Sequence, residues 1–109
     1  MPKRKLEVHP EVYEEVEYYR FWYESKANKL GFNFLKEIDY ALDKVKTSPS
    51  TWPWYDRQMG IRKFLLHRFP FGVLYLVKRD VIQIIAVADL RRKPGYWKDR
   101  IVFFPNYNK

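Results

Sequence analysis

Phe71-Gly72-Val73-Leu74-Tyr75-Leu76-Val77-Lys78-Arg79-Asp80-Val81-Ile82-Gln83-Ile84-Ile85-Ala86-Val87-Ala88 is the stretch that decides how this chain folds. Two apolar runs rich in β-branched residues flank three charged ones. Lys78-Arg79-Asp80 reads as a tight hairpin turn, although the Gly or Asn that such turns favour is absent. Strand alternation places Val73, Tyr75 and Val77 on one face, and Leu74 and Leu76 on the other. Ile82 and Ile84 alternate with Val81 and Ile85 in the same way. A strand with one wet face shows polar residues at every second position; these do not. Strands 71–77 and 81–88 are therefore central in a sheet, and both faces of that sheet need a cover.

The residues upstream supply one cover. Leu6-Glu7-Val8 reads as a short strand, broken by His9-Pro10, and Pro10 suits the first turn of a helix. Glu11, Glu14, Glu15 and Glu17 follow, where negative charge favours a helix N-terminus. Val12, Val16, Tyr19 and Tyr23 recur at helical spacing, so the first helix runs to about Glu24. Residues 25–28 form a turn, and a second helix is predicted over 27–47. Leu30, Phe34, Leu35, Ile38, Leu42 and Val45 make its apolar stripe. Gly31 weakens its first turn slightly, and Ser48-Pro49 ends it. The short connection makes an antiparallel helical hairpin. Residues 50–60 read as a loop, and 61–67 as a third strand stopped at Phe69-Pro70. The expected fold is α+β, in the order β-α-α-β-β-β: an N-terminal strand, then a helical hairpin packed on a mostly antiparallel sheet, then a basic C-terminal segment. The second face falls to Ile101-Val102-Phe103-Phe104 or to a partner protein.

At 109 residues the chain suits one domain, with a core over about 6–100 and a tail over 101–109. Rings make up 19% of it, more than such a core takes up, so some are expected at interfaces. With no cysteine and two distant histidines, His9 and His67, no metal or cofactor is expected. Met1-Pro2-Lys3-Arg4-Lys5 lacks the apolar core of a signal peptide, and no apolar run approaches a membrane span; a cytoplasmic protein without a membrane partner follows. Charge is unevenly placed. Residues 1–60 hold ten Lys/Arg and ten Asp/Glu, so the formal +8 lies entirely in residues 61–109. Its densest part is Asp89-Leu90-Arg91-Arg92-Lys93-Pro94-Gly95-Tyr96-Trp97-Lys98-Asp99-Arg100, where cations alternate with rings. Arginine beside aromatic groups points to a polyanionic partner.

Several segments together resemble the RelE/ParE superfamily, the toxin half of bacterial type II toxin–antitoxin systems. They are Tyr18-Tyr19, Leu30-Gly31, Phe34-Leu35 with Glu37-Ile38, and Ser48-Pro49. The most telling are the run from Arg62 to Phe71 with Leu74-Tyr75, and the run from Ala86 to Trp97 ending at Arg100. The likeness spans roughly residues 6–100. It implies a small basic toxin held inactive by a cognate antitoxin, with operator DNA met only through that antitoxin. The family holds two activities on one scaffold: RelE-like members cut mRNA on the ribosome, and ParE-like members inhibit DNA gyrase.

Metal-free RNA cleavage needs cations to stabilise the phosphorane and groups to move protons. The resemblance carries this onto Lys63, Arg91, Arg92 and Tyr96 as catalytic residues. Two departures stand against it. RelE-like enzymes carry an arginine three residues before the tyrosine of the middle strand, where this chain has Gly72. A second basic strand position is Leu65. His67 has an ordinary pKa near neutrality, suited to acid–base work or to a plain structural place. The stretch from Arg62 to Tyr75 reads closer to the ParE-like branch. Arg62, Arg68, Arg91, Arg92, Lys93, Tyr96, Trp97 and Arg100 then form a target- or nucleic-acid-binding surface. The expected function is growth arrest by binding a target such as DNA gyrase, with ribosome-dependent mRNA cleavage as the alternative. Trp52, Trp54 and Tyr55 fit either a contact surface or a loop folded over the core edge. Glu14, Glu15 and Glu17 read as a solvated helix face. Asp39 and Asp43 lie one helical turn apart with nothing nearby to suggest a metal.

Overall fold

The computed structural model describes residues 4–102. β4 (Phe71–Val77) and β5 (Val81–Asp89) form the central hairpin of the sheet, antiparallel to each other. β1 (Lys5–Val8) lies parallel to β5 on one side. β3 (Ile61–Leu65) and β2 (Trp54–Asp56) extend the sheet antiparallel beyond β4, giving the order β1-β5-β4-β3-β2. The helical hairpin of α1 (Pro10–Lys26) and α2 (Leu30–Thr47) separates β1 from β2 in the chain. A short α3 (Lys98–Val102) follows β5. The expected α+β layout is the one found. No helix among the described residues is long and apolar enough to cross a membrane.

Each sheet face has its own core. Phe34, Ile38 and Val45 of α2 and Val12 and Tyr23 of α1 pack on Phe71, Val73, Tyr75, Ile82 and Ile84. Leu74, Leu76, Ile61, Ile85 and Ala88 face the other way, onto Trp97, with Tyr55, Met59, Tyr96 and Ile101 around it. A bulge allows β5 to serve both. Leu74 pairs with Ala86 but Tyr75 pairs with Ile84, which leaves Ile85 as the extra residue. The second face is thus closed by Trp97 and Ile101; Phe103 and Phe104 lie outside the described residues.

The ends of the elements show what set them. His9 caps α1, its imidazole accepting from the Glu11 N–H at 3.2 Å, with Pro10 in the first turn. α2 begins at Leu30, three residues later than periodicity suggests, because Lys29 takes a left-handed φ of 68°. The Glu24 carboxylate of α1 accepts from the Lys29 and Gly31 N–H groups at 2.9 and 3.0 Å, satisfying the new helix's first donors. β3 stops at Leu65, before the expected 67, because the Glu37 carboxylate takes the His67 and Arg68 N–H groups instead of a strand. β2 arises within the stretch expected to be a loop. Trp52 there folds over the core edge: its indole donates to the Lys44 carbonyl at 3.2 Å and meets the Phe64 ring edge-on. Tyr55 packs near Trp97, whereas Trp54 stays exposed under the Arg62 guanidinium at 3.7 Å.

Gly31 is more than a weak helix former. A Cβ there would stand 2.4 Å from the Arg20 carbonyl oxygen of α1. Alanine would gain about 1 kcal/mol in helix propensity, but forcing two helix backbones apart costs roughly 1–3 kcal/mol or more. Gly31→Ala is therefore expected to lower the urea midpoint of unfolding; an unchanged or raised midpoint would show that the hairpin is not close-packed there.

Candidate functional site

The C-terminal segment is positioned by one carboxylate of α1. Glu15 Oε1 accepts from the Val87 N–H of β5 at 3.1 Å. Its Oε2 accepts from the Tyr96 hydroxyl at 3.0 Å and pairs with Arg100 Nη2 at 2.9 Å. Arg100 also donates to the Ile85 carbonyl at 3.1 Å and lies 3.4 Å from Glu11. These contacts fall where β1 has ended opposite Ile84 and the edge of β5 would stand open. The side chains of Glu15 and Arg100 are only 10% and 9% exposed. Glu15 is therefore an internal strut, which corrects the expectation of a solvated face for it. Burial, then the charge and hydrogen bond of Glu15, push the Tyr96 hydroxyl far above its ordinary pKa.

The turn after β5 is built on a second ion pair. Asp89 Oδ1 accepts from the Arg91 N–H and Nε, and Oδ2 accepts from its Nη2, all at 3.0 Å. The hydrogen bonds from the Arg91 side chain lead in holding the Asp89 carboxyl below its ordinary pKa. Arg91, Arg92 and Lys93 are all exposed. The Arg92 guanidinium lies over the Tyr96 ring at 4.2 Å. An open groove of about 590 Å³ runs between α1 and this segment, with Glu14, Tyr18 and Tyr19 on one wall and Arg92 and Arg100 on the other. A 220 Å³ hollow lined by Tyr18, Trp22 and Arg91 continues it along α1.

The anticipated site residues fall into separate places. Arg91, Arg92, Tyr96 and Arg100 gather around the α1 groove. Trp97, at 2% exposure, is core beneath the sheet and offers no surface; Arg100 is largely buried and lines the inner wall of the groove. Lys93 is exposed and follows Arg92 of the groove in sequence. Arg62 is bound to the Trp52 carbonyl at 2.6 Å. Arg68 pairs with Glu37 at 2.9 Å, next to the exposed His67. Lys63 stands over the Tyr55 ring at 5.8 Å, on β3, two strands or about 10 Å from β5. Sequence reasoning missed Glu15, Tyr18 and Trp22 as parts of the groove. Glu15, Tyr18 and Trp22 do recur at spacings of four, three and four from Glu11, a second helical stripe beside the apolar one.

No family model and no curated protein matches this sequence. A solved structure described as a chromosomal ParDE TA system from P. aeruginosa superposes on it with a TM-score of 0.69, covering 78% of this chain and 94% of that chain at 16% identity. The chain shares the fold of that structure. At that identity the architecture is shared, and function must be argued from the side chains.

Leu65, Gly72 and Ala88 form a row across three strands, and none of the three is basic. A Cβ on Gly72 would sit 3.5 Å from a Leu90 methyl and 3.7 Å from a Leu65 methyl. Leu65 is 51% exposed and Leu90 38%, so the surface there is an apolar patch. It stands between Lys63 and the Arg91–Arg92 turn.

Two outcomes test this geometry. Glu15→Gln leaves the buried Arg100 with only its longer contact to the exposed Glu11 and should cost about 3 kcal/mol in urea unfolding, whereas Glu17→Gln, which breaks the exposed pair with Arg20, should cost under about 1 kcal/mol. The second concerns acid. The Glu37 pKa is raised by burial, but hydrogen bonds from Arg68 and His67 outweigh this, so both Glu37 and Asp89 titrate below their ordinary values when folded. Their contributions are full above the unfolded carboxylate pKa, about 4, and are lost as pH falls through the folded values. Asp89→Asn should flatten the loss of stability as pH falls below about 4; an acid limb as steep as that of the unsubstituted protein would mean the Asp89–Arg91 pair is inert.

Proposed function

We propose that this chain is the toxin of a type II toxin–antitoxin pair, arresting growth when free of its antitoxin. It acts in the cytoplasm by binding and inhibiting a macromolecular target such as DNA gyrase, and it does not cut mRNA. The observation that carries this choice is the apolar Leu65–Gly72–Leu90 patch, which lies where a RelE-like site needs cations. A phosphorane gains nothing from two leucines and a glycine, and one lost charge contact in such a site costs roughly 3 kcal/mol, about two decades in rate. Tyr96 adds to the case, since its hydroxyl is held by Glu15 and its pKa is raised by burial first. The likeness to a ParDE structure points the same way.

Arg91, Arg92 and Lys93 are the target surface, and the rings beside them supply stacking area. The antitoxin is an acidic or amphipathic chain that folds on binding and covers these cations. In this role Arg92 belongs to binding and Tyr96 to its support, Lys63 lies outside the target surface, and no chemical step is assigned to any of the three.

Induction of the chain alone in bacteria, with RNA 5′ ends and plasmid supercoiling read from one culture, tests the proposal. Growth arrest with altered supercoiling and intact mRNA is the expected result. Lys63→Ala should leave the arrest unchanged, and the triple variant Arg91→Ala, Arg92→Ala, Lys93→Ala should abolish it, with target affinity lowered at least about tenfold, or 1.4 kcal/mol. Translation-dependent mRNA breaks that vanish in Lys63→Ala would establish the ribonuclease instead.

A further inference from the structure

A hollow between α2 and the end of β3 has features that neither the fold nor the target surface requires. It shares no lining residue with the groove along α1 or with the Arg91–Lys93 turn. Its volume is about 380 Å³, within the roughly 300–1,000 Å³ of small-molecule sites. Glu37 and Tyr40 line it from α2, Phe64 and the buried Leu66 from β3 and its end, and His67 and Arg68 from the turn that follows.

The rings of this hollow are held in place. Trp52 meets Phe64 edge-on at 4.6 Å between centroids, and the Trp52 indole is itself tied to the Lys44 carbonyl. Tyr40 stands 6.4 Å from Phe64 with its plane turned by 63°, so the two rings open as a V. Tyr40 is 54% exposed and belongs to neither core. A ring left in water beside a fixed, half-buried one offers stacking area for a third.

The polar groups say what that third ring carries. Glu37 is the one carboxylate of the lining, and it is already spent. Its Oε1 accepts from the His67 and Arg68 N–H groups, and its Oε2 from Arg68 Nε at 2.9 Å. The same bonds aim Arg68, whose terminal nitrogens are left for another anion. Lys44, over the Tyr40 ring at 5.2 Å, adds a further positive charge nearby. A neutral apolar ligand would leave the guanidinium unused, and a bare inorganic anion would leave the rings unused. An aromatic anion satisfies both, and a guanidinium already oriented loses little freedom on pairing.

We propose that this hollow binds a small planar aromatic ring bearing an anionic group, with the ring against Phe64 and Tyr40 and the anion on Arg68. Nucleoside monophosphates and aromatic carboxylates share this chemistry. The inference rests on the lining of the hollow and is independent of the toxin reading.

The test is isothermal titration calorimetry of the intact chain with AMP, indole-3-acetate, adenosine and inorganic phosphate. AMP or indole-3-acetate should saturate one site, and adenosine and phosphate should each bind at least about tenfold more weakly than the better of the two. Preference for AMP assigns the ligand to the nucleotides, and preference for indole-3-acetate assigns it to the aromatic carboxylates; either supports the proposal. Tyr40→Ala and Arg68→Ala should each weaken that ligand at least about tenfold, and Lys98→Ala, an exposed cation outside the hollow, should leave it unchanged. Tyr40 and Arg68 are both exposed, and circular dichroism confirms that each variant is folded. Three results would each overturn the proposal: no saturable binding of either ringed anion up to about 10 mM, phosphate bound as tightly as AMP, or unchanged affinity in both variants. A trinucleotide held at least about tenfold more tightly than AMP through the same two residues would overturn it in favour of a nucleic acid strand.

Discussion

Glu15 sits where three parts of the chain meet, and its carboxylate is what holds them in register. An ionised carboxylate taken out of water costs several kcal/mol unless its lone pairs are filled. Here they are filled from the β5 backbone, from Tyr96 and from Arg100. Arg100 in turn fills the Ile85 carbonyl that the bulge in β5 leaves without a strand partner. Each group makes burial of the others tolerable, so the set forms together or not at all. Its consequence is placement: the helix, the sheet edge and the C-terminal segment are fixed relative to one another, and the basic turn between β5 and α3 has both ends anchored.

The bulge and this cluster are two halves of one solution to a problem set by the central hairpin. β4 and β5 are apolar on both faces, and the helical hairpin covers only one. The extra residue at Ile85 keeps Ile82 and Ile84 under the helices while turning Ile85, Ala86 and Ala88 to the second face. Trp97 closes that face. Burying an indole contributes on the order of 5 kcal/mol before chain entropy is counted, enough to hold a short segment whose helix has five residues. Without the Glu15–Arg100 pair the indole alone would have to order the whole turn.

The features legible in the sequence are those that repeat. Alternation gave β4 to the residue and gave β5 to within one residue, and helical spacing gave α1 and α2 apart from their ends. The rest depends on partners distant in the chain. Nothing near Glu15 distinguishes it from Glu14 or Glu17; only the sheet edge, some seventy residues on, makes it internal. Gly31 looks like a flaw in a helix until the Arg20 carbonyl is found against it. β2 has three residues and no periodicity to read, and it exists because β3 offers it an edge. At the site, composition showed where the cations are but not which are already spent on neighbours.

That last distinction bears on how a +8 chain selects a partner. In the segment from Asp89 to Arg100, Arg91 is neutralised by Asp89, and Arg100 by Glu15 and Glu11. Arg92, Lys93 and Lys98 are left without an ion-pair partner among the described residues. Long-range attraction follows net charge and is screened within about 10 Å at ordinary salt. Discrimination follows the few groups that are both unpaired and held in place. Lys93 and Lys98 are mobile ammoniums that any anion satisfies, so they speed encounter and select little. Arg92 is held on the Tyr96 ring, and Tyr96 is held by Glu15. The carboxylate that organises the fold therefore also orients the one guanidinium best placed to tell one anionic partner from another.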